Sequence, residues 1–353
     1  MEAAAATART VRVRGVTPGW AAAAVAFLLV AVAVGLVAGP VDIGVGDVLR
    51  SLGGKLGIPG VTTPLGPTEE SILWDLRVPR VLLAALVGGM LAVAGATYQG
   101  VFHNPLADPY LLGVAAGAGL GATLAIAYLP HALAGQAVLP VAAFVGGGVA
   151  VVLAYSIGRA AGRERDSATL VLAGVTVASF FTALQTFVQQ RNTDTLQEVT
   201  SWILGSLPNT GWHDVVVLAP YVLVTTGVIL AHRRLVDVLS LGDLEAASLG
   251  VDVRRVRLTL VVAATIGTAA AVAVSGLIAF VGIIVPHAIR LVTRTSYRGL
   301  LPLSFVVGAG FLILADVIAR TALAPAEVPI GVVTALFGAP FFALVLRTRG
   351  GRG

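Results

Sequence analysis

The sequence is divided into apolar blocks of about 20 residues, the length that a helix needs to cross the hydrocarbon core of a bilayer. Eight separate blocks occupy 19–38, 79–101, 109–129, 138–158, 168–189, 213–232, 301–323 and 329–347. Residues 257–294 are apolar over too great a length for one crossing, and a turn at Ser275 and Gly276 would divide them into two spans, the second of them short. The pattern predicts ten membrane-spanning helices.

Composition supports one all-α polytopic membrane protein over 1–353. Hydrophobic residues make up 57% of the chain and charged residues 12%, about half the charge of a typical soluble domain. The apolar blocks do not alternate with polar residues, as the strands of a membrane β-barrel would. Cysteine is absent, which excludes disulfides, thiolate metal sites and a thiol nucleophile.

The distribution of positive charge predicts the orientation. With ten spans, both termini lie on one side of the membrane, and 17 of the 23 lysines and arginines fall on that side. Cytoplasmic loops carry the excess of positive charge, so both termini, an N-terminal tail at 1–18 and a C-terminal tail at 348–353, are predicted to be cytoplasmic. Nine spans would place Arg347, Arg349 and Arg352 outside. The alternative for the first block is a signal peptide, but its length exceeds the usual 7–15 residues of a signal core.

Two arginines on the outer side run against this bias. Arg77 and Arg80 belong to the stretch WDLRVPR, in which Pro79 stiffens the chain just before the second span. Arg320 lies near the outer end of the ninth span, four residues after Asp316. That spacing predicts an ion pair along one helix face, while a functional acid in the membrane is the alternative.

The cytoplasmic segment 237–256 predicts a docking surface. It contains two short helical pieces around Gly242 and Gly250, and leucines give it an apolar side. A plain connector between spans, which is the alternative, would not need 20 patterned residues. The other cytoplasmic segment of note, QGVFHNPLADPYLLG at 99–113, is a tight connection whose prolines break helix and whose Asn and Asp suit turns.

Two further features predict packing. Glycines 113, 117 and 121 repeat every four residues, a spacing that lets membrane helices approach closely. His287, beside Pro286, is expected to pack or hydrogen-bond, with metal binding as the alternative.

Several catalytic patterns are missing from the sequence. It contains no GxxxxGKS or GxxxxGKT loop, no HExxH, no GxSxG and no cluster of acids within a span. The chain is therefore not expected to bind ATP by that loop, or to act as an intramembrane protease or proton-coupled carrier. It is predicted to be non-catalytic.

Longer motifs carry a family resemblance. They include LRVPR at 76–80, QGVFHNPLADPYLLGV at 99–114, ASLGVDVRRVR at 247–257, FVGIIVPHAIRL at 280–291 and PAEVPIGVVTALFGAPFF at 325–342. Together they resemble the permease subunits of type II ABC importers, which take up iron–siderophore complexes, haem and cobalamin. The resemblance runs from about residue 74 to the C-terminus, and the preceding residues match only as one span and an outer loop.

The resemblance implies the partners and the site residues. It implies a second permease subunit, identical or related, a cytoplasmic ABC ATPase dimer that binds ATP and Mg, and an extracytoplasmic substrate-binding protein. It implies no cofactor on this chain and no nucleic acid. Coupling to the ATPase is assigned to the loop at about 233–256, through Leu244, Glu245, Ala246, Ala247, Gly250 and Arg254. Docking of the binding protein is assigned to Arg77, Arg80 and Arg320, where outward charge would steer the partner, and the cytoplasmic gate to Asn104, Leu106 and Ser167.

The resulting expectation is a multi-pass permease subunit in the cell (inner) membrane, serving an ATP-driven importer of a metal chelate. An iron–siderophore complex is the first expectation for the cargo, with haem or cobalamin as alternatives. A secondary transporter that needs no ATPase, and a structural or signalling membrane protein, are the rival classes.

Overall fold

The computed structural model describes residues 16–59, 62–129, 138–160, 167–207 and 211–350; the side chains at 167–168, 345–346 and 348–350 fall outside this description. Fifteen α-helices follow one another in the described residues. They are α1 (Pro18–Val37), α2 (Val45–Lys55), α3 (Pro67–Ser71), α4 (Val78–Val101), α5 (Val114–Tyr128), α6 (Val138–Ala160), α7 (Ser167–Arg191), α8 (Leu196–Ile203), α9 (Trp212–Ala231), α10 (Arg233–Leu239), α11 (Asp243–Ser248), α12 (Val253–Ser275), α13 (Val281–Thr293), α14 (Tyr297–Thr321) and α15 (Ile330–Gly350). The predicted N-terminal tail lies mostly outside these residues, and so does the end of the C-terminal tail.

The predicted spans correspond to helices. Seven helices are long and apolar enough to cross a membrane, and α5, α13 and α15 supply three shorter apolar segments, so that ten are described. The predicted break in the long apolar block also lies where expected. Gly276 has a φ of +66° and ends α12 with its N–H bonded to the Val272 carbonyl at 2.9 Å. Glycine adopts this left-handed region without the steric cost of a side chain.

The start of α4 differs from the prediction. The outer loop expected between the first two spans contains two helices, α2 and α3, in its described residues. From α3 the chain continues through a wide π-helical turn, Ile72–Arg77, directly into α4. Pro79 has no N–H and its ring clashes with a regular preceding turn, so a wider turn is a suitable way to admit it.

Glycines allow the backbone of α4 to touch its neighbours. A Cβ added at Gly88 would lie 2.4 Å from the Gly308 carbonyl oxygen on α14, and one added at Gly95 would lie 2.0 Å from the Gly282 oxygen on α13. Around this centre α1 packs on α14, while α9 and α12 pack on the other side of α4. The core therefore forms where helices can approach without intervening side chains.

Helices α5, α6 and α7 form a second group that meets the first mainly through α12. The predicted packing role of the glycine repeat is confirmed for Gly117 and Gly121, since a Cβ at either would lie 2.2 Å from a carbonyl oxygen of α6. His287 is buried in α13 with its ring edge-on to Phe341, at 6.0 Å between ring centroids, which agrees with the predicted packing role.

Candidate functional site

One end of the bundle contains a cluster of three arginines and two carboxylates, here called the arginine cluster. Arg80, in the first turn of α4, donates from Nε and Nη2 to the Asp316 carboxylate at 2.8–3.1 Å. The same guanidinium donates from Nη1 and Nη2 to the two oxygens of Glu327 at 2.9 Å. A planar guanidinium can bind two carboxylates in this way. Because a buried charge is costly unless it is paired, this contact fixes the start of α4 to the end of α14.

The other two arginines of the cluster close the C-terminal end of α1. Arg77 donates from Nη1 to the carbonyls of Leu36 and Val37, both at 2.9 Å, and from Nη2 to the carbonyl of Val41. Arg320 donates from Nη2 to the Gly35 carbonyl at 2.5 Å. The last carbonyls of a helix have no partner within it and carry partial negative charge, so a cation there is stabilising.

This geometry corrects the expectation of outward charge. Arg77, Arg80 and Arg320 are 5%, 9% and 6% exposed, so none of them projects into the medium in this chain. The physical reason is that the hydrogen bonds these arginines donate go to backbone carbonyls and carboxylates within the chain. The predicted pair within α14 is confirmed, with Arg320 Nε 3.6 Å from Asp316 Oδ2, but the closer bonds from Arg80 to Asp316 were missed. Whether the cluster docks a binding protein stays a prediction.

Glu327, which sequence reasoning also missed, is the carboxylate of the cluster that reaches the surface. Its side chain is 37% exposed, whereas Asp316 is buried. Hydrogen bonds from Arg80 hold the pKa of Glu327 below its ordinary value, so it is charged at neutral pH. Asp42 also interacts electrostatically with Arg77, so three carboxylates accompany the three arginines.

At the opposite end of the bundle, α10 and α11 form an exposed surface, here called the coupling surface (residues 233–256). Leu244 is 82% exposed, and Leu241 and Leu249 are exposed beside it. The side chains at Glu245, Ala247 and Arg254 and the backbone of Gly250 are also exposed. Ala246 differs from the other predicted coupling residues because it is buried against the bundle. Exposed leucines on a patterned loop are typical of a protein-docking surface.

Turns and ion pairs hold this surface in place. Gly242 and Gly250 have φ values of +126° and +80°, which confirms that glycines separate the two helical pieces. Arg257 on α12 contacts Asp243 at 2.5 Å, and Asp237 on α10 accepts from the Tyr297 N–H at 2.6 Å. The coupling surface is therefore attached to the first turns of α12 and α14.

The predicted gate residues Asn104 and Leu106 lie on the loop between α4 and α5 (residues 102–113), here called the gate loop. The Asn104 side chain accepts from the Leu106 N–H at 2.9 Å, which is a local turn, and both residues are exposed. The ring of His103, the residue before, bonds to the Leu239 carbonyl at the end of α10. The gate loop thus contacts the coupling surface directly. Ser167 is the first residue of α7, and its side chain lies outside the described part of the chain.

A buried glutamine links the same loop to α13. Gln99 near the end of α4 accepts from Arg290 at 2.5 Å and donates to the Gly282 carbonyl at 3.1 Å. The Arg290 guanidinium in turn lies 5.2 Å from the centre of the Tyr297 ring. These contacts join α4, α13 and α14 near the coupling surface through polar groups. No local sequence pattern predicts them, because the partners are far apart in the chain.

A third feature is an open groove of about 590 Å³ along α7 and the end of the gate loop. Its lining includes the hydroxyl residues Tyr110, Ser179, Thr182 and Thr186 among small apolar side chains, and these residues carry no formal charge. The Tyr110 hydroxyl is bonded to the Ile278 backbone and that of Thr186 to the Thr182 carbonyl, so Ser179 and Thr182 offer the open hydroxyls. Ser179 and Thr182 are both exposed on this side of α7. The groove is therefore a candidate for the wall of a transport path.

The arginine cluster and the coupling surface lie at opposite ends of α4. Arg80 at one end of α4 and Gly100 at the other are separated by about 30 Å at 1.5 Å per helical residue. Gly100 lies against Val236 of α10, where a Cβ would approach to 2.5 Å. One helix therefore extends from the arginine cluster to the coupling surface.

Comparison with known proteins gives consistent results. Residues 27–348 match the FecCD transport family. The chain is 42% identical to the cobalamin import system permease BtuC of Halobacterium salinarum over 80% of this chain and 75% of that protein. It is 36% identical to the iron(III) dicitrate transport permease FecC of Escherichia coli over 83% of this chain and 87% of that one. A solved ABC transporter in an inward-facing conformation, assigned to the metal-chelate type, superimposes with a TM-score of 0.81 at 27% identity, covering 94% of this chain and all of that one.

Proposed function

Because the chain belongs to the FecCD transport family, we propose that it carries an iron chelate, with an iron–siderophore complex as the first candidate, across the cell membrane. The chain is a permease subunit of an ABC importer, in agreement with its family. Such a permease works with a partner ATPase. The identity of the cargo, the surfaces used by each partner and the orientation are the parts that we propose. Haem and cobalamin are the alternative cargoes.

The observation that supports a chelated metal, rather than a bare cation, as the cargo is the chemistry of the groove. The Ser179 and Thr182 hydroxyls can hydrogen-bond a polar ligand, but the groove supplies no charged ligand for a bare cation. Among the described residues there is also no group of three or more His, Cys, Asp or Glu able to hold a metal ion. A metal that passes this wall would travel inside its own chelator. A second permease, facing the groove of the first, would complete the path.

We further propose that the ATPase docks on the coupling surface. Support comes from the exposed Leu241, Leu244 and Leu249 and from the contact of His103 with Leu239, which would pass a displacement of α10 to the gate loop. ATP and Mg would bind to the ATPase, and the permease itself would hold no cofactor and perform no catalysis. Both termini would then be cytoplasmic.

The arginine cluster is our proposed docking site for an extracytoplasmic binding protein. Its three arginines would attract acidic residues of the partner through the surface around them, although the arginines themselves are buried and paired. Glu327 would face the partner, since it is the exposed carboxylate of the cluster. The variant Glu327→Gln removes one negative charge, and Arg80 remains paired with Asp316. The affinity of the permease for an acidic binding protein should therefore rise at low salt. The same measurement at high salt should show a smaller difference, since exposed charges are screened.

A reconstituted transporter tests the cargo. The permease, its ATPase and its binding protein in proteoliposomes should take up an iron-labelled chelate when ATP is supplied. Labelled cobalamin and haem, offered in parallel, should not accumulate. Accumulation of either one without the iron chelate would overturn the iron proposal and leave the permease assignment intact.

A pair of variants tests the path. Thr182→Phe places a bulky side chain in the groove and should reduce uptake, because it narrows the proposed wall. Leu223→Phe, on the exposed side of α9 away from the groove, is the matched control and should transport normally. Equal uptake by both variants would remove the groove from the transport path.

A further inference from the structure

The short helix α2 carries an apolar ridge that the rest of the described chain leaves uncovered. Val45, Leu49, Leu52 and Leu56 are between 41% and 71% exposed. Their spacing of four, three and four residues places them along one side of the helix. Four exposed aliphatic side chains in a row are costly in water, so the ridge needs an environment of its own.

Contacts on another side of α2 fix its rotation. Val48 is buried in a small cluster with Ile43 and Leu73. Ser51 accepts a hydrogen bond from the indole N–H of Trp74 at 2.9 Å, and the Lys55 ammonium lies 4.8 Å from the centre of the Trp74 ring. The helix therefore cannot turn its ridge inward without losing these contacts.

The same cluster shows the height of α2 along the bundle. It includes Leu36 and Val37, the last residues of α1, and Val78, the first residue of α4. Helix α2 thus lies where two membrane spans end. In its last turn α1 exposes Val34, so the apolar outer surface of the bundle extends to this level. Spans end in the headgroup region of the bilayer, where tryptophan is also favoured.

A second amphipathic helix provides an internal comparison. Helix α8 buries Val199, and its Trp202 packs on a cluster that includes Ala118 and Ala143. The chain therefore covers part of the apolar side of α8 with its own helices, and it leaves the ridge of α2 open.

We propose that α2 lies in the headgroup region and inserts its ridge into the acyl chains of the adjacent lipid leaflet. Such helices lie parallel to the membrane with their apolar side at the boundary of the acyl chains. Arg50, on another side of the helix, would contact lipid phosphates. The inference is independent of the cargo and of the docking partners.

The anchor also bears on the arginine cluster. The segment between α1 and α2 includes Val41, whose carbonyl accepts from Arg77. Lipid would hold α2, and α2 would hold this segment in place over the cluster. The bilayer thus becomes a structural partner of the proposed docking end.

Single cysteines test the anchor, since the chain has none of its own. Leu49→Cys and Leu56→Cys place a probe on the ridge, and Gly54→Cys, exposed on the opposite side, is the matched control. Each variant is labelled with an environment-sensitive fluorophore in nanodiscs that contain phospholipid with brominated acyl chains. Quenching should be severalfold stronger at the two ridge positions than at the control, and the emission should be blue-shifted.

Other outcomes would overturn the proposal. Equal quenching at all three positions would show that the ridge is not in lipid. Emission at Leu49→Cys that changes only when the binding protein is added would assign the ridge to that partner. A disulfide between two unlabelled Leu49→Cys chains would assign it to a second copy. Unchanged thermal unfolding of each variant is the folding control.

Discussion

Removing the charge of Asp316 should destabilise the chain strongly, because Asp316 is the buried carboxylate between two buried arginines. It accepts three hydrogen-bond contacts from Arg80 at 2.8–3.1 Å and lies 3.6 Å from Arg320. In Asp316→Asn the two guanidinium groups stay buried while their shared counter-charge is lost. Breaking a buried pair in this way costs about 3–5 kcal/mol.

The matched control is Glu327→Gln. Glu327 binds the same guanidinium with two bonds at 2.9 Å, but its side chain is 37% exposed. Water can hydrate the charge that is left there, so the free energy of unfolding should fall by about 1 kcal/mol or less. The two variants differ in burial far more than in the number of bonds removed.

A third variant separates pairing from packing. Arg80→Met combined with Asp316→Leu removes both charges and fills the space with apolar side chains, and such replacements of buried pairs are often neutral. The double variant should therefore be more stable than Asp316→Asn. Reversible unfolding in mixed micelles, followed by the fluorescence of the four tryptophans, gives the free energy of unfolding of each variant. The reasoning would be refuted if the free energy of unfolding of Asp316→Asn lay within about 1 kcal/mol of the wild-type value, or if the double variant were as unstable as Asp316→Asn.

Three other predictions concern orientation, coupling and pH. A cysteine at Asp194 should react with an impermeant reagent from outside, while one at Leu244 should react only after the membrane is opened; the reverse pattern would invert the topology. Gly250→Pro should give an inserted protein whose partner ATPase is no longer stimulated by loaded binding protein. Proline cannot adopt the φ of +80° and lacks the N–H that Gly250 donates to the Ala247 carbonyl. Retained stimulation would exclude a coupling role. Burial raises the pKa of Asp108 to about 6, so ionisation of this carboxyl opposes folding. The free energy of unfolding should therefore fall as the pH rises from about 4, the pKa of aspartate in the unfolded chain, through 6. Asp108→Asn should abolish this fall when thermal unfolding is measured across that pH range. An unchanged pH profile in that variant would contradict the assignment.

Local hydropathy accounts for what the sequence could predict of the fold. Each span is a continuous apolar segment whose backbone bonds are internal, so its position follows from residues close in the chain. The break after α12 was predictable for the same reason, since Gly276 suits a left-handed turn. Helix α2 was missed because its three glycines and low apolar content resemble a loop, and its structure depends on Leu73 and Trp74.

The arginine cluster could be predicted only in part. The spacing of Asp316 and Arg320 indicates a pair within one helix, and the structure contains it. The stronger partner, Arg80, is 236 positions away from Asp316, and no local pattern joins them. Burial of Arg77 and Arg320 depends on the position of the end of α1, which is set by tertiary packing and not by the local sequence. The exposed leucines of the coupling surface could be predicted because their pattern lies within one segment, and the role of that surface in ATPase coupling stays a prediction.

The backbone contacts of α4 have a consequence for how the path can open. At Gly88 with Gly308 and at Gly95 with Gly282, the helices touch without side chains between them, so sliding there would bring carbonyl oxygens into collision. Helices α4, α13 and α14 should therefore move as one rigid body. The groove is formed by α7 and the gate loop, and α7 belongs to the group that meets this body mainly through α12. Opening is expected as a hinge or shear of α5–α7 against a stationary α4, with α12 as the contact that slides.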